Sequence, residues 1–104
     1  MAGGALLYRS QEKAKEYTQA YRKGMTLWNQ GESGRALGEF RRAAQIDPRD
    51  PELWIMIGRS EGASGHPDRA PEAWEEALRR EPGYRPALFE RGKEALGRHV
   101  AQRV

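Results

Sequence analysis

The chain has 104 residues, of which 38 % are hydrophobic, and its mean hydropathy is −0.93. This length allows one domain, and the low hydropathy disfavours a compact globule and suits an elongated stack of helices. The chain has no cysteine, which excludes disulfides and thiolate metal sites, and its net charge of +3 arises between residues 85 and 104, where five basic residues oppose two acidic ones.

The chain begins with a short segment that has no clear pattern. Residues 1–10 lack the charged start of a secretory signal, and we expect them to form a flexible N-terminal end. An amphipathic helical run follows from about Gln11. No apolar run approaches the roughly 18–20 residues that a membrane helix needs. We therefore expect a cytoplasmic protein without a membrane segment.

The sequence repeats itself at an offset of 34 residues without a gap. Small residues, aromatic residues and prolines recur at equal positions. The matched pairs are Gly24 with Gly58, Gly31 with Gly65, Ala36 with Ala70, Phe40 with Trp74, Ala43 with Ala77, and Pro48 with Pro82. This match divides the chain into repeat 1 at about 17–50, repeat 2 at about 51–84, and a half repeat at 85–104.

Each repeat is predicted to contain two helices joined by a glycine turn. In repeat 2 the first helix is predicted over 52–63, with Asp50 as its cap and Pro51 at its first position. Gly65, like its equivalent Gly31, is expected to end the first helix in a left-handed conformation.

The second helices are predicted over 33–46 and 68–80. In the latter, Asp68 is expected to be the cap, because Pro71 then stays inside the first turn, where N–H groups have no helical partner. Prolines 48 and 82 are expected to stop these helices.

Three glycines, Gly24, Gly58 and Gly92, lie inside the first helices of the three units. A glycine within a helix costs about 1 kcal/mol relative to alanine. Its recurrence at one position therefore predicts a close approach of the second helix of each pair.

The 34-residue unit resembles the tetratricopeptide repeat (TPR), whose signature contains a tryptophan, a leucine-glycine pair, a tyrosine, an alanine, an aromatic residue and a closing proline. Repeat 2 matches this signature in Trp54, Ile57-Gly58, Ala70, Trp74 and Pro82. Glu61 replaces the tyrosine, and repeat 1 has Ala20 and Lys23 at two signature positions. The resemblance implies an all-α fold: an α-solenoid of antiparallel helix pairs in a right-handed superhelical stack. Residues 11–104 would form this domain, with two TPR units and a terminal capping helix.

In TPR proteins the first helix of each pair lines the concave face. By that resemblance, ten residues line a partner-binding groove with an apolar floor and basic edges: Tyr21, Arg22, Met25, Asn29, Ile55, Met56, Arg59, Phe89, Glu90 and Lys93. An apolar strip that is bordered by charge is typical of a site for a peptide or a helix. The resemblance thus implies a scaffold or adaptor that binds a segment of another protein.

Three alternatives remain open at this point. The chain could be a structural module that self-associates into a homo-oligomer, or a TPR fragment of a larger multidomain protein. An RNA-binding helical repeat is the third, but the closing prolines and the charge balance of residues 1–84, with 13 basic and 13 acidic residues, argue against it. We expect no nucleic acid partner.

The sequence gives no reason to expect an enzyme. His66 and His99 are isolated histidines without an acidic neighbourhood, which is not the pattern of a metal site or a catalytic triad. The glycines fall at repeat spacing and do not follow a strand, unlike those of phosphate-binding loops. We therefore expect no catalytic residues, no metal and no cofactor.

Overall fold

Five α-helices follow one another along the chain. The computed structural model describes the backbone of residues 2–103 and the side chains of residues 9–97. Within residues 2–103 all regular structure is helical, which confirms the all-α prediction. The helices are α1 (Ala2–Asn29), α2 (Ser33–Ile46), α3 (Pro51–Ala63), α4 (Ala70–Arg80) and α5 (Arg85–Arg103), with a 3-10 turn (Pro67–Arg69) directly before α4.

The first helix is longer than the sequence pattern predicted. It begins at Ala2 and continues for 28 residues to Asn29, so residues 2–10 belong to the same helix as the run from Gln11. No proline interrupts this segment. Because proline is the residue that most strongly stops a helix, a helical run that starts at Gln11 has no barrier against extension towards the N-terminus.

The two glycine turns have the same hydrogen bonds at an offset of 34 residues. Gly31 and Gly65 have φ angles of 80° and 97°, as predicted for left-handed helix ends. After Gly31, the N–H of Glu32 donates to the carbonyl of Leu27 over 2.9 Å; after Gly65, the N–H of His66 donates to the carbonyl of Glu61 over 2.8 Å. Each bond satisfies a carbonyl group that the last turn of a helix leaves without a partner.

The start of α3 agrees with the prediction. The side chain of Asp50 caps α3, since Oδ1 accepts a hydrogen bond of 2.9 Å from the N–H of Glu52, and Pro51 is the first helical residue. Such a cap contributes about 1 kcal/mol relative to alanine.

The start of α4 differs from the prediction. Asp68 lies within the 3-10 turn and does not cap a helix over 68–80; α4 begins at Ala70, whose N–H donates to the carbonyl of Pro67. Two prolines four residues apart, Pro67 and Pro71, lack N–H groups, and bonds between residues three apart form the turn between them.

Two hydrophobic clusters hold the helices together. The first joins α1, α2 and α3 and contains Phe40 and Leu53, each with no exposed surface. The second joins α3, α4 and α5 and contains Ile55, Trp74 and Ala87. Burial of a large apolar side chain contributes about 1.5–3 kcal/mol, so these clusters carry much of the stability.

Helix α3 approaches α4 closely at a glycine, as α1 approaches α2. A Cβ atom placed on Gly24 would lie 2.6 Å from Phe40 Cε1, and one on Gly58 would lie 2.3 Å from Trp74 Cζ3. These distances confirm the predicted close approach in the first two units. Gly92 lies in the half repeat, which has no second helix among the described residues, and nothing in the described part of the chain lies within 4 Å of such an atom.

The described molecule is elongated. Its extents are 67 × 30 × 16 Å and its radius of gyration is 16.2 Å. A compact domain of this length has a radius of gyration of about 13 Å. The most extensive contacts join helices that are consecutive in the sequence. None of the helices in the part of the chain described here is both long and apolar enough to cross a membrane.

Candidate protein-binding surface

The ten predicted groove residues lie on α1, α3 and α5, and all except Asn29 fall in three series that recur every 34 residues. One such series is Tyr21, Ile55 and Phe89, and these three side chains differ strongly in exposure. Tyr21 is half-buried, Ile55 has no exposed surface, and Phe89 is 64 % exposed. Equal positions in the repeat therefore do not give equal surfaces.

The α1 part of the surface is an aromatic patch beside polar groups. The ring of Tyr21 stacks on Tyr17 at 6.1 Å between centroids and meets the edge of Phe40 at 5.8 Å. Burial raises the pKa of Tyr21 above its ordinary value, and the nearby carboxylates Glu52 and Asp50 raise it further. The neutral phenol is thus favoured, and the ring is positioned by contacts on two sides.

The other α1 residues of the prediction surround this patch. Met25 is half-buried and packs against the first hydrophobic cluster, whereas Arg22 and Asn29 are exposed. A cavity of about 130 Å³ lies at the patch. Its lining consists of Tyr17, Thr18, Tyr21, Arg22 and Asp50. This part of the predicted surface is accessible and combines apolar with charged groups.

The α3 part requires a correction. Ile55 and Met56 are 0 % and 3 % exposed, so they do not form an accessible groove floor. Ile55 lies in the second hydrophobic cluster and Met56 lies in the first. Because α3 is the central helix and is packed on both sides, only Arg59 of the three predicted residues reaches the solvent.

The α5 part is a network around Glu90. The Oε2 atom of Glu90 lies 3.3 Å from Lys93 Nζ, and its Oε1 atom lies 3.7 Å from Arg59 Nη2. Lys93 Nζ also lies 5.1 Å from the centroid of the Phe89 ring. Two of the three predicted basic groups therefore share one carboxylate. Ion pairs of this exposed kind contribute about 0–1 kcal/mol.

The structure brings the predicted residues together as two clusters. One is the α1 patch around Tyr21, and the other joins Arg59 of α3 to Phe89, Glu90 and Lys93 of α5. Among the side chains of residues 9–97, no hydrogen bond or salt bridge joins the two clusters. The buried residues Ile55 and Met56 lie beneath this surface as support.

A groove that the sequence analysis did not predict lies between α2 and α4, above α3. Its volume is about 600 Å³, within the range of ligand-binding cavities. Arg80 crosses it: the guanidinium lies 4.9 Å from the Trp54 ring, and Nε donates to the carbonyl of Pro48 over 2.8 Å. Trp54 Nε1 donates to the same carbonyl over 2.9 Å. These contacts join repeat 2 to the end of repeat 1.

Glu61 lies within this groove as a buried carboxylate. Its side chain is 4 % exposed and forms a salt bridge with Arg41 of α2, while Oε2 has no hydrogen-bond partner among the described residues. The sequence did contain a signal for this site. Glu61 replaces the tyrosine of the TPR signature, and a charge at a position that is usually aromatic indicates a local polar arrangement.

The α1 patch, the network around Glu90 and the groove between α2 and α4 provide apolar contact surface and charged groups for binding. His66 is exposed in the turn before α4, and the side chain of His99 lies outside the described residues. The described part of the chain contains no group of three histidine or acidic side chains that could hold a metal ion. No family model matches the chain, and a search of curated proteins finds no similar sequence.

Proposed function

We propose that the chain is a TPR-type module that binds a segment of another protein. The observation that carries this proposal is the recurrence of one helix–helix contact, the ring of Phe40 against Gly24 and the ring of Trp74 against Gly58. The equal hydrogen bonds after Gly31 and Gly65 support it as well. Two equivalent helix pairs that stack in sequence would form a short right-handed α-solenoid, with α5 as its terminal helix.

In this proposal the binding surface is smaller than the sequence predicted. Tyr21 and Met25 provide apolar contact, and Arg22 and Asn29 provide polar contact beside them. Tyrosine and methionine suit a protein-binding surface, because tyrosine gives a large contact area at low entropic cost and methionine adapts to varied shapes. The ligand would be an extended or helical segment with apolar side chains.

The charge preference of this surface depends mainly on Arg22. Arg59 and Lys93 share the carboxylate of Glu90. Arg22 is exposed and makes no salt bridge with any described side chain. An acidic group on the ligand would gain an ion pair at Arg22 without first breaking an internal one. We therefore expect a ligand with an acidic residue near its contact to Tyr21.

Photo-crosslinking from two positions in lysate tests this proposal. A photoreactive residue at Arg22 lies on the proposed surface, whereas one at Arg42 is also exposed and lies on another helix, α2. We expect a partner band from position 22 that is absent from position 42 and decreases when Met25 is changed to aspartate. Equal bands from both positions would contradict a specific surface on α1.

The same samples distinguish the alternative functions. Self-crosslinks that increase with protein concentration would indicate a homo-oligomer. Crosslinks to RNA that vanish steeply with added salt would indicate a nucleic-acid-binding repeat.

A cytoplasmic location stays a prediction and is checked by fractionation of the source cells.

A further inference from the structure

The exposed apolar residues of α5 lie on one side of the helix. The large hydrophobic side chains that are exposed in the described residues are Leu88, Phe89 and Leu96, at 38 %, 64 % and 63 %. At about 100° per residue, these three and Gly92 span roughly 100° of the helix circumference. We call Leu88, Phe89, Gly92 and Leu96 the α5 face.

The α5 face corresponds to a surface that is covered in repeat 2. Each of its residues lies 34 positions after a residue of α3: Trp54, Ile55, Gly58 and Gly62. There α4 packs against α3, Ile55 has no exposed surface, and the ring of Trp74 occupies the space at Gly58. At Gly92 no described residue occupies the equivalent space. The α5 face thus has the composition of a helix-binding surface but has no helix on it among the described residues.

The charges beside this face indicate what would cover it. Arg91 and Lys93 lie on its two sides by helical spacing, and both are about half exposed. Each makes one internal salt bridge, Arg91 with Glu75 at 3.6 Å and Lys93 with Glu90 at 3.3 Å, and such pairs contribute only about 0–1 kcal/mol. Residues 85–104 contain five basic and two acidic residues. A second copy of α5 would bring like charges together, which is unfavourable. An acidic helix would instead form opposite-charge pairs on both sides of the apolar contact.

We propose that the α5 face binds an acidic amphipathic helix of a partner protein, which places an aromatic ring against Gly92. The ring would lie as Trp74 lies on Gly58, in a space that only glycine leaves open. The chain itself contains an example of such a helix, since α4 carries Trp74 together with Glu72, Glu75 and Glu76. This proposal is independent of the proposed function, because α1 does not contribute to the α5 face.

The probe is a labelled peptide of residues 66–84, which contains the α4 sequence and carries five acidic against three basic residues. Its binding to the full chain is measured by fluorescence anisotropy at low and at high salt. We expect binding that weakens with salt. A peptide with Trp74→Ala should bind at least about tenfold more weakly, because it lacks the ring that fills the space at Gly92.

Two variants of the full chain locate the contact. Gly92→Ala and Gly97→Ala both lie on α5, and a Cβ at either position meets no described atom within 4 Å. Both substitutions should stabilise α5 itself, but only Gly92→Ala places a methyl group where the aromatic ring of the bound helix would lie. We expect Gly92→Ala to weaken binding about tenfold or more, with Gly97→Ala unchanged. If the peptide instead took the place of α4 within the folded chain, it would bind both variants equally.

Several outcomes would overturn the proposal. The first is that the peptide does not bind to the unaltered chain. The second is that the peptide binds equally to the two glycine variants, and the third is that its binding does not respond to salt. Sedimentation analysis can give a further contradicting outcome. If the chain forms a dimer and Gly92→Ala abolishes that dimer, a second copy of the chain covers the α5 face. Loss of the crosslink at position 22 would leave this proposal unaffected, so the two proposals fail separately.

Discussion

Gly58 of α3 lies so close to Trp74 of α4 that a Cβ atom on the glycine would be 2.3 Å from Cζ3 of the indole ring. The ring is 3 % exposed and is enclosed by the second hydrophobic cluster. It therefore cannot rotate outward to make room. This contact determines how closely α3 and α4 pack, and it provides the first test of the repeat geometry.

Gly58→Ala should destabilise the chain. Overpacking of a core typically costs about 1–3 kcal/mol, and the gain in helix propensity of about 1 kcal/mol offsets only part of it. Because a contact of 2.3 Å favours the upper part of that range, we expect a net loss of up to about 2 kcal/mol in the free energy of unfolding, measured by urea denaturation. An unchanged or higher stability would show that the indole ring has space to move.

Gly92→Ala should have the opposite effect on stability. Gly92 occupies the same repeat position as Gly58, but a Cβ there meets no atom of the described residues within 4 Å. The substitution removes the conformational freedom of glycine inside α5 without creating a contact. We expect an increase of up to about 1 kcal/mol in the free energy of unfolding. A decrease would mean that the space at Gly92 is filled.

The sequence predicted local structure well, because the residues that determine it act through local geometry. Gly31 and Gly65 adopt the left-handed conformation for which glycine is suited. The cap at Asp50 also follows from residue type and spacing. Where the prediction was wrong, at Asp68, two prolines close together changed the pattern of available N–H groups.

The accessible surface was harder to predict, because exposure depends on which neighbours a helix has. Ile55 and Phe89 occupy one repeat position, yet one is buried and the other is 64 % exposed. The resemblance assigned both to the same groove. A repeat pattern gives the direction of a side chain within its unit, but only the packing of the neighbouring units decides whether the side chain is covered.

Arg41→Leu should destabilise the chain through Glu61. The substitution leaves a carboxylate that is 4 % exposed without its cation. Loss of the partner of a buried charge is strongly destabilising, and because Arg41 itself is half exposed we expect about 1–3 kcal/mol. The double variant Arg41→Leu, Glu61→Leu should regain stability. Thermal unfolding of the two single variants and the double variant measures this coupling, and additive losses would contradict it.

The stability of the chain should fall at high pH because of Tyr17. Burial raises the pKa of Tyr17 from 10.0 to about 12, and the charge of Asp50 adds to the effect. The unfolded chain loses this phenolic proton at lower pH than the folded chain, so the stabilisation is complete below pH 10 and is lost as the pH rises through about 12. Tyr17→Phe removes this contribution. Urea denaturation from about pH 9 to pH 12 should therefore show a smaller loss in the variant.

Arg22→Glu should weaken binding of the partner that crosslinks at position 22, provided that this ligand is acidic at the contact. Reversal of an exposed charge mainly slows association and removes an attraction that depends on salt. Arg59→Glu is a less suitable test, since it would place a second carboxylate beside Glu90, which lies 3.7 Å from Arg59. Arg69→Glu is the matched control, because Arg69 is exposed and makes no salt bridge with any described side chain. Surface plasmon resonance at two salt concentrations should give a lower association rate for Arg22→Glu only, and an equal rate for both variants would remove the charge preference from the proposed function.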